Sequence, residues 1–149
     1  MTDTATYMAA DVRTAIVAHA RALLGVPFRH HGRDRHGVDC AGLVLRAMND
    51  ALGRGDEFMD YPQRPSPDVV RAAIARHADR ITAADAGPGD VVLMDGGLRA
   101  VHVGVLTDRG VIHANGVTGR VVEHRLGGLA ARVRPVAYYR WNGVPSWRQ

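Results

Sequence analysis

Three side chains in this chain have the types needed for nucleophilic catalysis. Cys40, the only cysteine in 149 residues, stands in Gly37-Val38-Asp39-Cys40-Ala41-Gly42-Leu43-Val44. A turn leads into it and an apolar helical pattern leaves it, so the thiol falls at a predicted helix N-terminus. Unpaired backbone N–H groups and the positive end of the helix dipole favour a thiolate there. A lowered pKa makes a cysteine nucleophilic at neutral pH. Such a nucleophile needs a base in reach, and the base needs a third group to orient it. His102 and His113, both on predicted strands, are the candidates.

If residues 101–106 and 111–114 pair as a hairpin, His102 and His113 share a face in one register. Gly104 lies two residues from His102 on the same face, and its missing side chain would leave room for a thiol or substrate. His113 would orient the His102 ring through one ring nitrogen. Backbone N–H groups around Cys40 could supply an oxyanion hole for acyl transfer. The bland alternative is that Cys40 is a small buried hydrophobe and the histidines are merely hydrogen-bonded.

The elements that must position these groups are readable from periodicity. Val12, Ile16, Val17, Ala20, Leu23 and Leu24 recur at helical spacing until Gly25-Val26-Pro27 ends the pattern. Residues 28–38 read as a polar loop. Asp39 is a good N-cap for a second helix, with Leu43, Val44, Ala47, Met48 and Leu52 as its buried stripe and Gly53 past its end. Residues 54–67 form a long irregular connection, able to cover a cleft. Ser66-Pro67 opens a third helix, continued by Val70, Ile74 and His77. After Gly87-Pro88-Gly89 the pattern turns to strands at 91–94, 101–106, 111–114, 121–125 and 133–140. Turns fall at Asp95-Gly96-Gly97, Asp108-Arg109-Gly110 and Asn115-Gly116, and Pro135 marks an edge or irregularity. Helices first, then an antiparallel meander of about five strands, makes an α+β domain.

Bulk properties narrow the class. One domain of residues 1–149 is expected, with 46% hydrophobic and 23% charged residues, proportions of an ordinary folded protein. A single cysteine excludes an intramolecular disulfide. The first ten residues show no basic region followed by an apolar run, so no secretory leader is expected, and no stretch approaches a membrane span. All 19 basic residues are arginine and the net charge is +4. They are scattered, which argues against a nucleic-acid surface. His30, His31 and His36 fit no common zinc spacing and read as a polar rim loop, so no metal or cofactor is expected. His77 and His124 are expected at the surface, Trp141 and Trp147 in a packed tail, and Asp34 and Arg35 near the cleft.

The chain resembles the NlpC-type cell-wall cysteine peptidases, a papain-like family, from about Ala18 to Tyr139. The matching segments are Ala22-Leu23-Leu24-Gly25-Val26-Pro27-Phe28-Arg29-His30, Val38-Asp39-Cys40-Ala41-Gly42-Leu43-Val44, Gly87-Pro88-Gly89-Asp90-Val91-Val92, His102-Val103-Gly104-Val105 and Val111-Ile112-His113-Ala114. The form Pro27-Phe28-Arg29-His30 looks most like the branch encoded beside tail genes of phages and gene-transfer agents.

That resemblance implies a papain-like fold, with Cys40 as nucleophile, His102 as general base and acid, and His113 as the orienting residue. It implies cleavage of peptidoglycan stem peptides, typically between D-γ-glutamate and a diamino acid, with Asp39 accepting the free α-amine of the stem. Phe28, His30 and Gly104 would complete the substrate-binding set. Delivery to the cell wall or periplasm would come from assembly into a tail-like particle, without membrane insertion. Two departures matter: many relatives have tyrosine where Phe28 stands and serine where Ala41 stands, and Phe28 cannot donate a hydrogen bond. Other functions to weigh are a structural tail-tip component, or an amidase or acyltransferase on the same fold.

Overall fold

The computed structural model describes residues 4–95, 101–126 and 134–146, with side chains from residue 11 onward. Its elements in chain order are α1 (Thr4–Arg21), β1 (Arg33–Asp34), β2 (Gly37–Val38), α2 (Cys40–Leu52), α3 (Pro67–Ala75), β3 (Ala78–Ile81), β4 (Val91–Asp95), β5 (Val101–Leu106), β6 (Val111–Asn115), β7 (Arg120–His124) and β8 (Arg134–Trp141). Six strands form one antiparallel sheet in the order β3-β8-β4-β5-β6-β7, and β1 and β2 form a two-residue ribbon. The α+β class stands, with six strands where about five were expected. The extra one is β3: the expected third helix stops at Ala75, His77 lies beyond it, and 78–81 pair with β8. The Asp95-Gly96-Gly97 turn and Trp147 fall partly or wholly outside the described residues.

The helices bury one face of the sheet. Ile16 and Ala20 of α1 and Leu43, Ala47 and Met48 of α2 pack with Leu93, Val103, Val105 and Ile112 of the strands, all nearly or fully excluded from solvent. The other face carries a smaller cluster of Val92, Met94, Leu106 and Val111. Alternate residues of one strand thus feed two cores, as the pleat requires. Pro135 sits where the β4–β8 register shifts between Leu93 and Met94, so its missing N–H falls at an irregularity inside the sheet.

Polar anchors hold these layers in register. Asp90, fully buried, meets Arg13 of α1 at 3.1 Å and Arg140 of β8 at 3.2 Å, and accepts from the Gly87 N–H at 3.0 Å. Arg13 also donates to the carbonyls of Pro88 (2.9 Å) and Pro145 (2.7 Å). A Cβ on Gly89 would lie 3.1 Å from the Arg13 Cα, and its φ of +94° suits glycine, which explains the Gly-Pro-Gly-Asp segment.

Candidate functional site

Local capping places the thiol. Asp39 takes an extended N-cap conformation and its Oδ1 accepts from the Gly42 N–H at 2.8 Å, so Cys40 is the first residue of α2. Gly53 closes the helix in the left-handed conformation, its N–H bonding the Asn49 carbonyl. Gly42 packs its backbone onto Gly32, where an added Cβ would fall 2.0 Å from the Gly32 carbonyl oxygen. Only glycine at position 42 lets the loop ahead of α2 close against its first turn.

The hairpin takes the register that puts both histidines on one face. Val105 pairs with Ile112 and Leu106 with Val111, while Val111 pairs with His124 and His113 with Val122. His102, His113 and His124 therefore share one face of three consecutive strands. The His102 and His113 ring centroids lie 5.9 Å apart at 61°, and those of His113 and His124 4.8 Å apart at 80°.

Cys40 and His102 both line one groove of about 1290 Å³. Phe28, His30, Asp39 and Cys40 line it on the α2 side, Asp95, Val101, His102 and Val103 on the sheet side, and Phe58 and Tyr61 from the 54–67 connection. Val103 bonds the Cys40 thiol through its backbone, which brings Cys40 against the residue next to His102. His113, 1% exposed, lies behind the groove rather than in it.

The electrostatics correct one expectation. Burial pushes the Cys40 thiol above its ordinary pKa, and the Asp39 carboxylate adds to the rise; bonds to the backbone of Val103, Ala41 and Cys40 itself act the other way without prevailing. The helix N-terminus is present, but desolvation wins, so the resting group is the thiol. Burial lowers the pKa of His102, partly offset by Asp95, and leaves a neutral imidazole able to take a proton. Burial, then the neighbouring His124 and His102, lowers His113 to about 3.

Several other residues sit differently from the sequence reading. Gly104 does not open the groove. A Cβ there would meet Val111 Cγ2 at 2.6 Å, the Ile112 carbonyl oxygen at 2.7 Å and the His113 Cβ at 3.2 Å, so β6 fills its space. His113 forms no hydrogen bond to His102; its Nε2 lies 2.7 Å from Nε2 of His124, and its Nδ1 is buried without a partner among the described residues. His124 is therefore not a plain surface residue. His77 is half-buried, stacked on Trp141 at 5.4 Å. Asp34 and Arg35 are exposed, and neither lines the groove. His30 and His31 stack at 3.9 Å beside Asp39, and among the described residues no group of three or more histidine, cysteine or acidic side chains is placed to hold a metal ion.

Sequence reasoning missed the network around Asp39. Asp39 is 3% exposed, and its carboxylate accepts from Gly42 N–H and Arg33 Nη1 (3.0 Å) at Oδ1, and from His31 N–H (2.8 Å) and the Tyr61 hydroxyl (2.6 Å) at Oδ2. His31 adopts a φ of +61° to deliver its N–H. Arg33 also donates to Tyr61 Oη (2.9 Å), the Phe58 carbonyl (3.0 Å) and Glu57 (3.0 Å). Asp56 pins the same connection, accepting from Trp141 Nε1 at 3.0 Å and exchanging backbone–amide bonds with Asn49. A polar, proline-rich stretch thereby becomes a fixed groove wall.

Comparison with known proteins fits this geometry. The NlpC/P60 family pattern matches residues 25–134, which span the capped Cys40 helix and the strands of both histidines. The chain belongs to the NlpC/P60 family. Escherichia coli (strain K12) carries a similar protein, described as a probable endopeptidase NlpC, 32% identical over 94 residues. That match covers 61% of this chain and 54% of the relative, so the chain spans about half the relative's length. Among solved structures, the NlpC/p60 domain of the peptidoglycan hydrolase SagA superposes with a TM-score of 0.64 at 22% identity, covering 86% of this chain and 97% of that one. RipD of Mycobacterium tuberculosis, described as a non-catalytic NlpC/p60 domain protein adapted to peptidoglycan binding, has a TM-score of 0.55 at 15% identity, covering 87% and 96%. These two superpositions establish a shared fold. Among the described residues of this NlpC/P60 protein, no helix is long and apolar enough to cross a membrane.

Proposed function

We propose that this chain is a peptidoglycan hydrolase, a cysteine endopeptidase that cuts stem peptides at the bond between D-γ-glutamate and a diamino acid. The observation that carries it is the shared groove: Cys40 heads α2, His102 lines the same groove from β5, and the backbone of Val103, next to His102, bonds the thiol. In the first step the Cys40 sulfur attacks the substrate carbonyl carbon as His102 takes the thiol proton. The oxyanion forms beside the N–H groups that open α2. The tetrahedral adduct collapses as His102 passes its proton to the leaving amine, which leaves a thioester. Water then attacks the thioester, His102 accepting a proton from it, and the thiol and a free carboxylic acid are released.

The groove chemistry suits an anionic peptide. Arg64 and Arg71 line it, neither forms an ion pair or hydrogen bond among the described residues, and the Arg71 Nε is buried without a partner. The free carboxylates of a stem peptide match such cations. Asp39 faces the groove with its oxygens already holding four donors, which favours a role in fixing the groove wall over direct capture of the stem α-amine. The Pro27-Phe28-Arg29-His30 resemblance carries the further reading that the protein reaches the wall in a phage-tail-like particle; co-sedimentation with such particles tests it, and a protein found only free sinks it.

Digestion of meso-diaminopimelate peptidoglycan by wild type and Cys40→Ala, with mass spectrometry of the fragments, tests the activity. Cys40-dependent cleavage that leaves D-glutamate as the new C-terminus and the diamino acid as the new N-terminus is expected. Peptidoglycan binding without release by either protein would instead assign a binding role of the kind described for RipD.

A further inference from the structure

The proposed mechanism leaves His124 unused, yet its hydrogen bonds decide what His113 can do. His124 Nδ1 lies 2.9 Å from the Arg125 carbonyl oxygen. A carbonyl only accepts, so the ring hydrogen of a neutral His124 is on Nδ1 and its Nε2 is a bare lone pair. That lone pair lies 2.7 Å from His113 Nε2. His113 must then carry its own hydrogen on Nε2 and donate it to His124. A neutral imidazole has one such hydrogen, so Nδ1 of His113 is an acceptor. It is buried and has no hydrogen-bond partner among the described residues. The remaining imidazole beside it is His102, on the opposite side from β7, with its centroid 5.9 Å away.

We infer that His124 is a positioning residue: it locks His113 in the Nε2–H tautomer, so that His113 offers Nδ1 to the ring N–H of His102. The inference rests on reading His102 as the base. With its hydrogen held toward His113, His102 keeps its other nitrogen bare for the Cys40 proton. The opposite His113 tautomer would present an N–H to His102, draw its lone pair away from the thiol and disable it as a base. His102 and His113 make no hydrogen bond in this structure, and catalytic hydrogen bonds are often long or poorly aligned until substrate is bound.

Long-range proton–nitrogen NMR on the full chain, with ¹⁵N-histidine labelling, reads the tautomer without any need for activity. The expected result is a protonated Nε2 and a bare Nδ1 on His113. His124→Phe removes the acceptor and should shift His113 toward the Nδ1–H form. His124→Gln can accept through its amide oxygen and should restore the original form. On stem-peptide substrate, His124→Phe should lower kcat about 10- to 100-fold at near-constant KM, as loss of an orienting partner does, and His124→Gln should recover most of it. A wild-type His113 protonated at Nδ1 overturns the inference, even if His124→Phe fails to fold. So does a folded His124→Phe with tautomer and kcat both unchanged. An expected tautomer in a protein that hydrolyses nothing would instead defeat the peptidase reading alone.

Discussion

The Tyr61 hydroxyl donates to Oδ2 of Asp39 at 2.6 Å and, in the same geometry, accepts from Arg33 Nη2 at 2.9 Å. The bond joins the centre of the 54–67 connection to the residue that caps the Cys40 helix. Burial and the Asp39 carboxylate raise the Tyr61 pKa, so the hydroxyl keeps its proton. Tyr61→Phe removes one of four donors to Asp39 and should cost about 1 to 2 kcal/mol in denaturant unfolding. Arg33→Met leaves buried Asp39 without its cation and should cost roughly 3 kcal/mol or more. Equal costs for the two variants would contradict Arg33 as the principal counter-charge.

The raised thiol pKa of Cys40 predicts a particular alkylation profile. The rate with iodoacetamide should be low at neutral pH and still climbing where an ordinary thiol levels off. A His102→Ala variant should keep that profile, because no resting ion pair is involved. Fast alkylation that stays constant down to pH 5 would establish a preformed thiolate–imidazolium pair and remove the burial argument.

Much of this site was legible in the sequence because each legible part is set by local rules. The Asp39 cap, the Gly53 terminus and the Ser66-Pro67 start are local hydrogen-bond and dihedral preferences, and all three occur where expected. Strand alternation allowed His102 and His113 a common face in one hairpin register, and the β5–β6 pairing takes that register. The Asp39 network was not legible. Arg33 is one of 19 arginines and Tyr61 lies in a stretch with no periodicity, so only the folded chain brings them together. His124 was misplaced for a related reason: its neighbours depend on the β6–β7 register, which places it across from Val111 and next to His113. The thiol pKa was misjudged because the helix N-terminus is visible in sequence and the depth of burial is not.

Gly104 separates a steric role from a catalytic one. An alanine Cβ would press on the Ile112 carbonyl oxygen and Val111, so β6 must move, and His113 with it. Overpacking of this kind typically costs about 1 to 3 kcal/mol. Gly104→Ala should therefore lower the unfolding midpoint and also reduce kcat. A stable variant with only a raised KM would return Gly104 to the substrate-binding set.

Arg71 offers the opposite profile. Its Nε is buried and unpartnered among the described residues, so Arg71→Ala gives up no hydrogen bond within them and should leave stability within about 0.5 kcal/mol. If the guanidinium meets a substrate carboxylate, KM for a stem peptide should rise about tenfold, and the salt dependence of kcat/KM should weaken. An unchanged KM would remove Arg71 from substrate recognition.

His113 should make the protein sensitive to mild acid. Its pKa is about 3 in the fold, against about 6.5 in an unfolded chain. Between those values the unfolded state binds a proton that the folded state refuses, so this contribution favours unfolding increasingly as the pH falls. It is absent above about pH 6.5 and reaches on the order of 4 kcal/mol near pH 3. Asp56 and Glu123, held below the usual carboxylate range, add their own losses on further acidification. Between pH 6.5 and 4.5 those carboxylates contribute little; His102, also held low by burial, adds a loss there that both wild type and His113→Asn share. There the stability of the wild type should fall more steeply than that of His113→Asn, the difference in slope growing toward about 1.4 kcal/mol per pH unit at the acid end. Parallel stability curves for the two proteins across that window would mean that His113 takes up its proton in the folded state, and that its buried neutral form is wrong.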